Sequence, residues 1–453
     1  MSAKIFLIVL GLAVLLTPAT VVSQSFDNAE IAMFYALNKQ PNDLARYSYL
    51  TKVMPTLSAS DQLVAEQMLA TSENELGLYE QAVFSFPLKS ALLADLSLPT
   101  TAEWQATDAV AVITKLAADH RIVMINEAHH DAHTRELTLA LLPHLRALGF
   151  AYFAIEALSD HDPGLVQRGY PIKASGTEYL REPLYGEIVR EAIRLGFTIV
   201  PYDDAESTTI DARETGQAEN LYQKVFAKDP GARLFIHTGY AHIDKAAERL
   251  GKIEPMAMRL QALTGLNPLS IDQTQFLEVG LDHTDAYHQL IARFKPKTPV
   301  VLINRATGTA WSASPKLYDV NVILPPALSL GAFGEGDRYG SRTDGRSMAV
   351  SDPTRFSMIS PTLKYMERPN WLTLDGQRIP FPINSDLCRT ISPCVIEANY
   401  INEPDDATAA DRYAFMEIHA ASSLYLRPGH YRLRAVSKDG RTLSEQDIEI
   451  APH

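Results

Sequence analysis

The sequence predicts an α/β protein: a mostly parallel sheet with helices on both faces, preceded by a small α-helical region and followed by a small β-rich C-terminal domain. Three observations predict it. From about residue 100 to 325, short apolar runs alternate with amphipathic stretches, the pattern of βαβ units. Before that segment apolar residues recur at helical spacing. From about residue 385 they alternate one by one between Pro428-Gly429 and Asp439-Gly440, as in hairpin strands.

The chain has 453 residues, and 41 Lys+Arg against 54 Asp+Glu leave a formal net charge of −13. At roughly 100–200 residues per domain, two or three domains are expected. An acidic chain without a Lys/Arg run lacks the footprint that a phosphate backbone or anionic membrane requires, so a small-molecule substrate and no nucleic-acid partner are expected.

Taken in order, residues 1–23 read as a secretory signal peptide. Lys4 precedes the apolar run Ile5 to Leu16, and small residues close the segment before Ser23. That run falls short of the ~20 residues a membrane span needs. No stable membrane anchor is expected after cleavage, and the mature protein should be exported, periplasmic or secreted. Residues 24–100 form the helical region, with Ala29, Ala32, Met33 and Leu37 on one helix, Leu63, Val64, Met68 and Leu69 on a second, and Leu76, Tyr79, Ala82 and Val83 on a third.

Residues 101–328 form the α/β domain. Its strands are expected at Ile122–Ile125, Tyr152–Ile155, Thr198–Pro201, Leu234–His237, Leu269–Ile271, Val300–Ile303 and Val320–Leu324. A helix from about Thr134 to Leu148 should kink or end early at Pro143. Others run from Leu184 to Leu195, ending at Gly196, and from Ala212 to Ala227, ending at Asp229-Pro230-Gly231. Residues 329–384 read as a loop-rich linker containing Gly331, Gly334, Gly336, Gly340 and Gly345, at spacing unsuited to a dinucleotide fingerprint. Residues 385–453 form the β-rich domain. In an oxidising compartment Cys388 and Cys394 are expected to pair.

In an open parallel sheet ligands bind beyond the carboxyl ends of the strands, so the residues that follow each strand are candidates. They are polar throughout. Asn126-Glu127-Ala128-His129-His130-Asp131-Ala132-His133-Thr134-Arg135 follows the first strand, Glu156 the second, and Tyr202-Asp203-Asp204 the third. Gly239-Tyr240-Ala241-His242 follows the fourth, and Asp272 the fifth. A histidine held by a carboxylate can take a proton from water near neutral pH, and an arginine can bind a carboxylate or a developing oxyanion. Without a G-x-S-x-G elbow, and with neither cysteine in the sheet region, water is the expected nucleophile. The competing reading is a divalent metal held by Glu127, His129, His130, Glu156 and His242. His237 reads as a satisfied buried histidine, and the three tryptophans read as packing.

The block Asn126-Glu127-Ala128-His129-His130, Arg135 opening the next helix, Glu156 ending the next strand and Gly239-Tyr240-Ala241-His242-Ile243 resemble the erythromycin esterase and ChaN-like superfamily, which takes in the Tiki/TraB-type proteins. The resemblance covers roughly residues 105–325. That superfamily typically shows Gly-Glu-x-His or Gly-Glu-x-x-His and later Gly-x-x-His; here the first Gly is Asn126. Glu127-x-His129 and Glu127-x-x-His130 both fit, and the reading leans to His130 as the base. The resemblance implies a catalytic set of Glu127, His129 or His130, Arg135, Glu156 and His242, acting on an ester, lactone or related acyl bond with no required cofactor. Tyr202, Asp203, Arg213, Glu214 and Tyr240 are the expected substrate-binding residues, Arg213-Glu214 resembling a pair that opens a helix in these proteins. Other branches imply haem binding without turnover, or metal-dependent peptide cleavage.

Overall fold

The computed structural model describes residues 28–87, 96–204, 207–278, 285–327 and 367–452. Residues 1–23, for which a signal peptide is expected, and the glycines from Gly331 to Gly345 lie outside them. The chain divides into two compact units. One holds the described residues of Leu88–Pro325 together with Glu403–Ala410; the other holds those of Phe26–Pro87, Pro326–Asn402 and Asp411–His453.

In chain order the elements are α1 (Asn28–Asn38), α2 (Asp43–Val53), α3 (Ala59–Glu75) and α4 (Tyr79–Ser85), followed by β1 (Trp104–Asp108), α5 (Ala109–Ala117), β2 (Ile122–Glu127), α6 (His133–Ala147) and β3 (Tyr152–Ile155). Then come α7 (Leu165–Arg168), α8 (Pro183–Arg194), β4 (Thr198–Val200), α9 (Ile210–Leu221), β5 (Leu234–Gly239), α10 (Met256–Thr264), β6 (Leu269–Asp272), α11 (Ala286–Phe294), β7 (Val300–Asn304) and β8 (Val320–Ile323). The last are β9 (Ile379–Asn384), β10 (Cys394–Tyr400), β11 (Asp411–Phe415), β12 (Ala421–Leu426), β13 (Gly429–Ser437) and β14 (Thr442–Ile450).

The α/β unit is built on an eight-stranded sheet of order β1-β7-β8-β6-β2-β5-β3-β4. From β8 to β4 every pairing is parallel, while β1 and β7 add an antiparallel edge. The expected α/β class is therefore the observed one. β2 and β5 are buried along their whole length, which is why their sequences, Ile122-Val-Met-Ile and Leu234-Phe-Ile, are continuous apolar runs and not alternating ones. Ile122, Met124, Ala154, Leu234 and Ile236 pack with Ala218, Leu221 and Leu260 in one core; each such aliphatic side chain contributes about 1.5–3 kcal/mol by burial. Chain order reverses around β2, with β5, β3 and β4 on one side and β6 and β8 on the other, and this is where such sheets open a crevice.

Of the two outcomes expected at Pro143, the early end does not occur: α6 continues to Ala147, with Leu141, Leu142 and Leu145 wholly buried on both sides of the proline. The third expected helix is also split: α9 stops at Leu221, and Tyr222–Phe226 continues it as a π-helical turn.

The second unit joins both ends of the chain. Ala414 N donates to Leu76 O at 3.1 Å, Asn42 Nδ2 donates to Ser437 O at 3.0 Å, and Arg412 Nη1 meets Asp43 Oδ2 at 2.8 Å. Its strands form a four-stranded antiparallel sheet, β11-β10-β13-β14, and a two-stranded one, β12-β9. Gly440, at φ +81°, makes the turn between β13 and β14 that Asp439-Gly440 predicts. Cys388 and Cys394 are disulfide-bonded, with Cα atoms 6.0 Å apart.

Candidate functional site

β2 ends in Glu127, whose carboxylate is the hub of a first cluster. Arg135, on the first turn of α6, donates from Nε to Oε2 at 2.5 Å and from Nη2 to Oε1 at 3.3 Å. His129 Nδ1 lies 2.8 Å from Oε1, and His237 Nε2, from β5, lies 3.1 Å from Oε2. Burial alone would raise the carboxyl's pKa, but Arg135, His237 and His129 outweigh it and hold Glu127 well below the usual carboxylate range. An ionised carboxylate can only accept, so His129 carries its proton on Nδ1. Arg135 is wholly buried, and its Nη1 donates to Glu182 at 3.0 Å. Glu182 also caps α8, accepting from Leu184 N at 3.0 Å and Tyr185 N at 2.9 Å. The guanidinium read as an oxyanion or substrate group is thus spent within the protein.

Glu156, at the end of β3, is the hub of a second cluster. Its Oε2 accepts from Gly239 N at 2.6 Å and Thr238 Oγ1 at 3.2 Å, while Arg213 Nη2 donates to Oε1 at 2.7 Å. His242 lies between two carboxylates, with Nδ1 2.6 Å from Glu214 and Nε2 3.5 Å from Glu156. Burial lowers its pKa, but Glu214 and then Glu156 outweigh this and lift it to about 10, so His242 is an imidazolium at neutral pH. Although burial opposes it, His242 and Arg213 hold Glu156 well below the carboxylate range. Arg213 also contacts Asp203 Oδ1 at 2.8 Å, and Gln217 Nε2 donates to the same oxygen at 2.7 Å. Glu214 Oε2 accepts from Met256 N at 2.6 Å.

Gly239 joins the two clusters. A Cβ added there would lie 2.7 Å from both Cε1 and Nε2 of His129 and 3.3 Å from Glu156 Oε2, so the glycine's bare Cα lets the imidazole edge and the second carboxylate face the same point. The next residue, Tyr240, has φ +35°, a costly backbone for a side chain with a Cβ. It sets its ring edge-on to His129, centroids 5.1 Å apart, with its hydroxyl 3.3 Å from His130 Nδ1. Burial, reinforced by His129 and Arg135, drops the His130 pKa to about 3. Asn126 takes the place where the resembling pattern has glycine. Its Nδ2 donates to Tyr240 O and Asp272 Oδ1, both at 2.8 Å, and its Oδ1 accepts from Gln273 N at 2.7 Å, tying β2 to β6 and to the turn after β5.

Glu127, His129, Arg135, Glu156, Arg213, Glu214, Tyr240 and His242 thus form one connected set, with Asp203 at its rim. The sequence reading leaned to His130, but the geometry pairs Glu127 with His129. Tyr202 is wholly buried in the core that packs on the sheet. The sequence reading missed Glu182 and Tyr179 and read His237 as merely buried; a carboxylate directly before Pro183 at a helix start was the one signal for Glu182. The five side chains weighed as metal ligands do not fit a metal: each carboxylate is already paired with a guanidinium, and among the described residues no three His, Cys, Asp or Glu groups gather as a metal ion needs.

Fold and site together define an α/β sheet protein with a buried carboxylate–imidazole pair at its topological switch point. No protein-family model and no curated protein matches the sequence. Solved structures that are similar include the type III effector HopBA1 (11% identity, TM-score 0.27, covering 40% of this chain and 87% of that one). A structure described as bacterial protein toxins gives 14% identity, TM-score 0.28 and coverage of 51% and 57%. RRSP, a MARTX toxin effector domain from Vibrio vulnificus CMCP6, gives 16%, 0.27, and 52% and 55%. The chain therefore spans little more than half the length of the latter two. Similarity at this level assigns no function.

Proposed function

We propose that the protein is a hydrolase of the erythromycin esterase and ChaN-like superfamily, cleaving an ester, lactone or related acyl bond of a small molecule with water as nucleophile. The observation that carries this reading is His129 Nδ1 at 2.8 Å from a Glu127 carboxylate that Arg135 fixes and keeps ionised. With Nδ1 committed to Glu127, Nε2 holds the basic lone pair. It takes a proton from water as the water oxygen attacks the acyl carbon, and Glu127 stabilises the imidazolium that forms. Collapse of the tetrahedral intermediate breaks the acyl–oxygen bond, and the leaving alkoxide takes the proton back from His129, giving an acid and an alcohol. Arg213 and the imidazolium of His242 are paired with carboxylates and keep Glu156 ionised on the other side of Gly239. No cofactor enters this scheme.

Export, to the periplasm or outside the cell, is supported by the Cys388–Cys394 disulfide and by the character of residues 1–23. Among the described residues no helix is long and apolar enough to cross a membrane. The test is turnover of a panel of chromogenic esters and lactones by the full chain, with and without a chelator. Chelator-insensitive hydrolysis is expected; hydrolysis abolished by chelator and restored by one added divalent metal contradicts the metal-free scheme.

A further inference from the structure

Between β3 and α8 the chain runs from Glu156 to Glu182 without a strand, holding only α7 and the 3-10 turns Lys173–Ser175 and Glu178–Arg181. This connection lays Tyr179 flat on His129, with ring centroids 4.2 Å apart and planes 11° from parallel. Together with Tyr240 at the ring's edge, Tyr179 leaves the imidazole no room to turn about its Cβ–Cγ bond. Such a turn would exchange Nδ1 with a carbon and take it off Glu127.

The connection is held down from far along the chain, by Glu403–Ala410, which belongs to the same compact unit. Ile172 and Ala407 form an antiparallel bridge, Lys173 N donates to Asp406 O at 2.9 Å, and Thr408 N donates to Pro171 O at 3.1 Å. The Thr408 hydroxyl donates to Leu180 O, beside Tyr179, at 2.7 Å. Gly186 on α8 makes room for Thr408, since a Cβ there would lie 2.6 Å from its methyl. Arg190 clamps the strap, donating from Nε to Glu403 at 3.0 Å and from Nη2 to Thr408 O at 2.5 Å. On the connection's other side Gly176 meets Ala157 O, where a Cβ would come to 1.9 Å, and Thr177 N donates to that oxygen at 2.9 Å. Tyr179 is thus set from both flanks by contacts that owe nothing to His129.

We propose that Tyr179 is a positioning residue for His129, seated by the strap Glu403–Ala410: the stacked ring holds the imidazole plane in which Nδ1 meets Glu127 and Nε2 faces Gly239. The kinetic consequence rests on the reading of His129 as the base, while the stacking is measurable without turnover. The experiment compares the full-length wild type with Tyr179→Phe, Tyr179→Leu and Thr408→Val by histidine-selective NMR, with the His129 signal assigned by His129→Ala, and by ester hydrolysis. The wild type and Tyr179→Phe should share one His129 ring-proton shift, and Tyr179→Leu should move it by removing the ring current. In Tyr179→Leu kcat should fall roughly tenfold or more with KM changed less, and Thr408→Val should follow in the same direction. An unmoved His129 signal and wild-type kcat in Tyr179→Leu overturn the proposal. Should Tyr179→Leu not fold, the same null result in folded Thr408→Val overturns it. A wild type that turns over no ester contradicts the hydrolase reading instead, and the ring-proton shifts still decide the positioning.

Discussion

Glu127 shows how much one buried carboxylate can be asked to do. It is 1% exposed, yet it receives a guanidinium and two imidazoles from β5, α6 and the loop between β2 and α6. Burying such a group unpaired costs several kcal/mol, and removing one partner of a buried pair typically costs about 3–5 kcal/mol. Glu127→Gln leaves the shape but not the charge. An amide can present NH2 to His129, which favours the wrong tautomer, so kcat should fall about 100-fold or more while the melting temperature drops. Steady-state kinetics with a thermal melt checks this, and a kcat within twofold of wild type would count against the assigned role. The two later histidines differ for equally local reasons. Burial, reinforced by His129 and Arg135, outweighs Glu127 and keeps His130 neutral, whereas His242 lies between two carboxylates and stays charged.

At the level of the element, the strand ends carry the site and were the most legible part of the sequence. Continuous apolar runs end in polar residues, and Glu127, Glu156 and the Tyr240-Ala-His242 turn stand where those runs predict them. β1 was not legible, because Trp104-Gln-Ala-Thr-Asp is an exposed antiparallel edge without an apolar face. α2 was not legible either: it buries Asp43 and Arg46 along with Leu44 and Leu50, so no apolar stripe marks it. Tyr179, Glu182 and the strap at Glu403–Ala410 reach the site through irregular segments, whose long-range contacts leave no periodic trace. The turn after β5 yields a sharp prediction. Gly239→Ala puts a methyl where His129 Cε1 and Nε2 already are, within 2.7 Å. The imidazole must shift, so kcat should fall roughly a hundredfold for a stability loss of about 1–3 kcal/mol. Near-normal kcat in Gly239→Ala would show that the imidazole edge does not work from that position.

Over the whole molecule, several buried groups tie stability to pH in one direction. His242 has its pKa raised from 6.5 to about 10, so its contribution is complete below about pH 6.5 and is lost as pH rises through about 10. Burial raises Glu73 to about 8, despite a hydrogen bond from Ser85 that lowers it, and raises Asp244 to about 6 against Arg249. These acids favour the protonated form in the fold, so they too cost stability as pH rises from the carboxylate range. Glu127 and Glu156 act oppositely: both are held below the carboxylate range, and their contribution is lost as pH falls through it. The melting temperature should therefore peak in mildly acid solution, between about pH 4.5 and 6.5, and decline toward pH 10. A pH series of thermal melts checks this, and His242→Gln should flatten the alkaline limb; a melting temperature that rises steadily to pH 10 would contradict it.

The central claim is that His129, held by Glu127, is the base, and that His130 beside it is not. The most direct measurement is kcat of folded His129→Ala and His130→Gln on one hydrolysed ester, side by side. The account predicts a loss of about 100-fold or more in His129→Ala and a loss of less than about tenfold in His130→Gln. The reverse order would contradict it.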